Sequence, residues 1–114
     1  MYQYKKENDF KYRANESKKI LDKYPDKIPL IVEKSENCIY DINQNKYLLP
    51  KDIKVHQLYF IIRKRLNIEK SEALFIYINN VIPPNNNFIG EIYNDLKDED
   101  GFLYITYSSE NTFG

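Results

Sequence analysis

The stretches IPLIVE at 28–33 and KYLLP at 46–50, followed by DIKVHQLYFIIRKRL at 52–66, decide how this chain folds. Ile28–Glu33 is short and rich in β-branched residues, which predicts a strand. Lys46–Leu49 predicts a second. Pro50 ends it, and because proline lacks the N–H that a central strand must donate, this second strand reads as an edge. The connection at 34–45 is polar and shows no periodicity. Asp52 is placed to cap a helix over roughly 53–66. Val55, Tyr59, Ile62 and Leu66 recur at spacings of 4, 3 and 4, one helical face that is expected to cover the sheet. Ile53, Leu58 and Ile61 lie off that face and form a second apolar stripe. Tyr47 and Leu49 alternate along the preceding strand toward that stripe, which predicts an exposed apolar groove beside an edge strand or, as the alternative, a groove covered by the N-terminal helices. Exposed apolar patches mark partner sites, and an edge strand beside a groove suits a partner peptide that adds a strand of its own.

Working outward, Ala73–Ile78 predicts a third strand, ended by Asn79 and Asn80. Pro83 and Pro84 break the chain. Phe88, Ile89, Ile92, Tyr93 and Leu96 then mark a short amphipathic helix. Asp98-Glu99-Asp100-Gly101 reads as a turn, and Phe102–Tyr107 as the fourth strand. Upstream, Asp9 is placed to cap a helix over 10–24 that Pro25 stops. Phe10, Ala14, Ser17, Leu21 and Tyr24 form its apolar stripe, with lysines opposite. A shorter basic helix is expected at 2–7. The order α-α-β-β-α-β-α-β is that of an α+β fold, a ubiquitin-like β-grasp preceded by two additional helices. It divides into a helical extension at 1–26, a core at 27–107 and a tail at 108–114.

The chain has 114 residues and 42% hydrophobic composition, enough to bury one core in one domain. Its single cysteine, Cys38, allows no internal disulfide, which fits a reducing compartment. No apolar run reaches the length of a membrane span, and the first residues, MYQYKKEND, do not resemble a signal peptide. A cytoplasmic location is expected. Net charge is zero, yet residues 1–65 hold fifteen Lys and Arg against nine Asp and Glu, while 66–114 hold two against eight. The asymmetry reads either as a partner surface on the basic part or as two faces that attract each other.

Catalysis has little to stand on. His56 and Cys38 are the only residues of their kinds, and His56 reads as a surface residue of the central helix. Cys38 falls in a polar loop as an idle thiol. Asp98 and Asp100 resemble the start of a calcium loop, but Gly101 and Ser109 fall where such a loop needs other residues. No phosphate-binding glycine motif is present. No catalytic residue, metal or cofactor is expected.

KIPLIVEK (27–34), KYLLP (46–50), IIRKRL (61–66) and DEDGFLYITYSSENTFG (98–114), together with Phe10, Arg13, Glu16, Ser17 and Ile20, resemble the autophagy ubiquitin-like modifiers, the family that includes GABARAP. The resemblance covers nearly the whole chain. It implies attachment of the Gly114 carboxylate to the amine of phosphatidylethanolamine, by way of adenylation and thioesters on activating and conjugating enzymes. A glycine suits this because no Cβ crowds its carbonyl. It also implies a processing and deconjugating cysteine protease, and receptors carrying aromatic-x-x-aliphatic motifs with acidic flanks. Carried onto this sequence, the aromatic pocket falls to Glu16, Ile20, Pro29, Ile31, Lys46, Leu48 and Phe102. The aliphatic pocket falls to Tyr47, Leu49, Pro50, Ile53, Leu58 and Ile61. Lys27, Lys46, Arg63 and Arg65 would attract the acidic flanks.

The sequence departs from the family pattern at several places. The 34–46 connection is one residue shorter than in many relatives, Gln44 stands in place of a basic residue, and Leu58 replaces a frequent phenylalanine. Ser109 replaces a frequent glycine, and no residue follows Gly114. The functional reading is a lipid-conjugated modifier at the autophagosome membrane, cytoplasmic before conjugation. The alternative is a ubiquitin-like peptide-binding adaptor that is never conjugated. Binding of nucleic acid or cytoskeleton through Tyr2, Tyr4, Lys5, Lys6, Lys11 and Arg13 is a third reading, which the acidic second part disfavours.

Overall fold

Alternation along β1 (Lys27–Lys34) sends Ile28, Leu30 and Val32 to one face and Pro29 and Ile31 to the other. Both faces are buried, so both need a cover. In the computed structural model, which describes residues 2–36 and 38–109, each face has one. The elements run α1 (Gln3–Glu7), α2 (Phe10–Lys23), β1, β2 (Lys46–Pro50), α3 (Val55–Leu66), β3 (Phe75–Tyr77), α4 (Ile89–Leu96) and β4 (Leu103–Ser108). This is the order expected from the sequence. The strands form one mixed sheet in the order β2-β1-β4-β3. β1 and β4 pair in parallel at its centre, Leu30 beside Leu103 and Val32 beside Ile105. β2 and β3 add antiparallel on the outside. The second strand is therefore an edge, as Pro50 implied.

One face carries Leu30, Val32, Leu103, Ile105 and Tyr107, closed over by Val55, Leu58, Ile62 and Leu66 of α3 and Ile89 and Ile92 of α4. The other carries Ile31, Phe102 and Tyr104, packed with Tyr4 of α1 and flanked by Tyr2 and Ile20. Two of the expected helical faces are corrected. On α3 the fully buried stripe is Val55, Leu58, Ile62 and Leu66, with Tyr59 only half buried. Leu58 thus belongs to the core and not to an exposed second stripe. On α2, Arg13 and Ser17 are the buried residues, while Phe10 and Tyr24 are exposed.

The start of α3 also moves. Its N-cap is Lys54 and not Asp52. The carbonyls of Lys51 and Ile53 are turned to α4, where they accept from the N–H groups of Gly90 and Ile89. In return the carbonyls of Asn87 and Asn85 accept from the N–H groups of Val55 and His56. Each helix start is satisfied by the loop that leads into the other. Asp9 does cap α2, accepting from the Tyr12 N–H. Cys38 is buried against the core, because Tyr40 and Ile42 carry its polar loop back onto the sheet.

The acidic turn at 98–101 explains why α2 buries a cation. Asp100 is fully enclosed. Its carboxylate accepts from the Arg13 guanidinium at 3.0 Å, the Phe102 N–H at 2.9 Å and the Tyr104 hydroxyl. Its main-chain carbonyl accepts from the Ser17 hydroxyl. Burial first, and the bond to Asp100 second, push the Tyr104 hydroxyl far above the usual tyrosine range. Gly101 follows at φ 92°, where a side chain would be strained and would collide with Ser17. A second bridge joins Lys5 of α1 to Asp98 at 2.5 Å. Both ion pairs cross from the basic part of the chain to the acidic part.

Two outcomes are expected from this turn. Asp100→Ala leaves Arg13 buried without its counter-charge and should cost about 3–5 kcal/mol, read as a lower urea midpoint with an unchanged slope. Asp98 gives a pH effect. Its partial burial opposes ionisation, but the Lys5 ammonium and the Asp100 N–H outweigh it and hold the carboxyl below its usual range. Its contribution is therefore full above an unfolded pKa of about 4 and disappears as pH falls through the lower folded value. In an acid titration followed by unfolding, Lys5→Ala should flatten that loss.

Candidate functional site

The edge strand β2 decides where a partner can pair. The Asn45 carbonyl accepts from Val32, and the Lys51 N–H donates to Asp26. Antiparallel alternation then aims the main-chain groups of Lys46 and Leu48 away from β1, toward the open edge. Side chains alternate in the same rhythm. Tyr47 lies opposite Leu30 and Leu49 opposite Ile28, so both face α3. Lys46 lies opposite Ile31 and Leu48 opposite Pro29, so both face α1 and α2.

The residues assigned to the two pockets are sorted by this alternation. On the α2 side are Pro29, Ile31, Lys46, Leu48 and Phe102, with Ile20 packed against the same cluster and Glu16 half buried four residues before it on α2. Glu16 accepts from the Tyr12 hydroxyl at 3.0 Å. On the α3 side, Tyr47, Leu49, Ile53, Leu58 and Ile61 belong to one apolar cluster. Pro50 closes the strand, exposed, on the α2-facing parity opposite Lys27. It is not brought to the face of its assigned set.

Two members of the α3-side set differ from the exposed groove expected of them. Tyr47 is 6% exposed and Leu58 1%. Tyr47 packs beside Leu30 under α3, and its hydroxyl is buried without a hydrogen-bond partner. Burial raises its pKa. The accessible members are Leu49, Ile53 and Ile61, each partly buried.

The cations also separate. Arg63 donates from one guanidinium nitrogen to the carbonyls of Glu69 and Glu72 at 2.9 Å and of Lys70 at 3.3 Å. From the other it reaches the Tyr59 hydroxyl. These bonds commit one arm of its fork to holding the loop after α3. Lys27 and Arg65 are exposed. The Lys46 ammonium lies over two rings, 5.1 Å from the centroid of Tyr4 and 5.8 Å from that of Phe102. Gln44, read as a departure from the family, donates its side-chain amide to the Lys46 carbonyl at 2.9 Å, covering one of the groups on the open edge.

Sequence reasoning missed the packing role of Tyr4 and the Glu33 carboxylate, which meet their partners across many residues of chain, and the closing of the Arg63 fork on carbonyls six to nine residues further on. Gly114, the residue assigned to lipid conjugation, lies outside the described residues, as does Phe113.

Known proteins share both this sequence and this fold. The family described as autophagy protein Atg8, ubiquitin like, matches residues 12–114. The chain is similar to Autophagy-related protein 8e of Arabidopsis thaliana, 50% identical over 112 residues, which covers 97% of this chain and 92% of that protein. The fold is similar to the crystal structure of Trypanosoma brucei ATG8, with a TM-score of 0.91 and 38% identity over 100% of this chain and 99% of that one. It is also similar to Plasmodium falciparum Atg8 in complex with a P. falciparum Atg3 peptide. There the TM-score is 0.90 and the identity 30%, over 97% and 98% of the two chains.

The burial of Tyr47 has a measurable consequence. Tyr47→Ala should lower stability by about 3–5 kcal/mol, as removal of a large core side chain does. Tyr47→Phe removes only an unpaired hydroxyl and should be neutral or slightly stabilising. Urea unfolding of the two variants side by side separates core packing from exposure, since an exposed tyrosine would give two small effects.

Proposed function

Because the chain belongs to the Atg8 family of ubiquitin-like autophagy proteins, we propose that it is a modifier joined through Gly114 to phosphatidylethanolamine, and that its β2 edge recruits receptors to the autophagosome membrane. The observation that carries the recruiting part is the alternation of β2. An extended peptide pairing with Lys46 and Leu48 alternates too, so two of its residues three positions apart point to opposite faces. An aromatic-x-x-aliphatic motif is therefore matched to this edge. Its aromatic residue goes to the α2 side, among Glu16, Ile20, Pro29, Ile31, Lys46, Leu48 and Phe102. Its aliphatic residue goes to the α3 side, beside Leu49, Ile53 and Ile61, with Tyr47 and Leu58 as the buried support beneath them. The exposed cations Lys27 and Arg65 attract acidic flanks and speed encounter. A relative solved with an Atg3 peptide supports a peptide-docking role for this fold.

The conjugation part rests on the family match, which runs to residue 114. In this reading the chain is a substrate and a scaffold. The reactive cysteines belong to its activating and conjugating enzymes, and a cysteine protease processes and releases the same glycine. The docking edge and the tail are separable. A non-conjugated adaptor would keep the first and lack the second.

Reconstitution with activating enzyme, conjugating enzyme, ATP and liposomes containing phosphatidylethanolamine tests this. Deletion of Gly114 should abolish the mass shift and membrane flotation while leaving peptide affinity unchanged. Leu49→Ala should weaken an aromatic-x-x-aliphatic peptide by about 1 kcal/mol or more while leaving the Gly114 donor itself unchanged. Lipidation of the deletion variant would overturn Gly114 as the acyl donor, and failure of the unmodified chain to be lipidated would favour the adaptor.

A further inference from the structure

The α2 side of the docking edge is closed in this structure. Phe102 and Ile31, two of the residues assigned to the aromatic pocket, are 0% exposed. A partner ring has no access to either until something moves. The cover is identifiable. Tyr4 of α1 meets Phe102 edge-on with ring centroids 5.4 Å apart, and both belong to one small cluster with Ile31 and Tyr104. The Lys46 ammonium bridges the Tyr4 and Phe102 rings. An aromatic residue of the chain's own N-terminal segment thus shares the cluster that a partner's aromatic residue would have to enter.

We propose that α1 is a displaceable lid on the aromatic pocket, with Tyr4 filling it in cis and the Glu33 carboxylate acting as the latch; this rests on the peptide-docking reading above. The latch is specific. One carboxylate oxygen of Glu33 accepts from the Gln3 N–H at 2.6 Å and the other from the Tyr4 N–H at 2.8 Å. These are two of the main-chain donors at the start of α1 that have no partner within the helix. Lys5 ties the far side to Asp98, and Tyr2 stacks on Tyr104 at 4.7 Å. These contacts suit a lid because little else holds it. α1 has five residues, too few to persist as a helix alone. Its polar ties, to Glu33 and Asp98 and from the Thr106 hydroxyl to the Tyr2 hydroxyl at 3.4 Å, are only partly buried. The Tyr4 hydroxyl is buried with no hydrogen-bond partner, so the docked state carries a desolvation cost that release removes. Burial also drives the Tyr4 pKa up to about 12. Gln44 covers the Lys46 carbonyl on the same stretch of edge, so a partner has both a ring and a main-chain acceptor to uncover there.

The lid is tested with the full chain by calorimetry against an aromatic-x-x-aliphatic peptide and against the same peptide with alanine at the aromatic position. The variants are Tyr4→Ala, which empties the seat, and Glu33→Ala, which opens the latch and leaves every pocket residue in place. If α1 is docked about nine-tenths of the time, each variant should bind the aromatic peptide about tenfold more tightly and the alanine peptide no differently from the unmodified protein. Saturation with the aromatic peptide should also abolish the exchange protection of the Gln3 and Tyr4 amides. Should Tyr4→Ala misfold, Glu33→Ala and the amide exchange still decide the matter. Equal or weaker binding of the aromatic peptide by the folded variants would overturn the lid and leave the docking reading standing, with Tyr4 as a wall of the pocket. Absence of binding to the unmodified protein and to all variants would overturn the docking reading and the lid together.

Discussion

The carboxylate of Asp100 is where the two halves of this molecule are joined. A sheet with both faces apolar cannot stand with one helix on one side. The second cover comes from the N-terminal helices, which are rich in lysine and poor in apolar surface. Arg13 and Ser17 let α2 approach the sheet because the Asp98–Gly101 turn presents a full set of acceptors there. The carboxylate also holds Phe102 and Tyr104 at the start of β4, and so sets the floor on which α1 and the Ile20 end of α2 rest. A buried ion pair is weak evidence for stability by itself. Here its effect is positional, since it fixes which face of α2 meets the sheet.

The order of elements was readable in the sequence because each rests on local chemistry. Asp9 begins a helix and Pro25 follows its end. The β-branched run at 28–33 is too short for a helix, and Pro50 marks an edge. The assignment of faces was less readable, since it depends on partners distant in the chain. The 4-3-4 spacing put Tyr59 on the core face and Leu58 off it, and the fold reverses the two. Phe10 and Tyr24 are the obvious apolar residues of α2, yet Arg13 is the one that turns inward, because a carboxylate 87 positions away is waiting for it. The pockets show the same division. Their residue types came through the family resemblance, and their separation onto two faces follows from alternation along one strand. That Tyr47 lies inside, and that the Arg63 fork is occupied by its own loop, required the fold.

The charge asymmetry now has a physical use on both sides of the question it raised. Lys5 and Arg13 meet Asp98 and Asp100 across the boundary between the basic and acidic parts, so part of the imbalance is spent inside the molecule. Lys27 and Arg65 stay exposed, and they flank the edge where a partner strand would lie.

The open edge of β2 has a further consequence for the protein's behaviour at high concentration. Unpaired strand edges are templates for indiscriminate pairing between copies, the first step toward fibrous aggregates. This edge is only five residues long. It begins with a lysine and ends with a proline that has no N–H to offer, and one of its outward carbonyls is already taken by Gln44. Two copies pairing antiparallel would set each Lys46 against the other's Pro50 and would run out of donors there. At high concentration the edge would thus stay available to a partner that brings side chains for both faces, while remaining a poor template for itself.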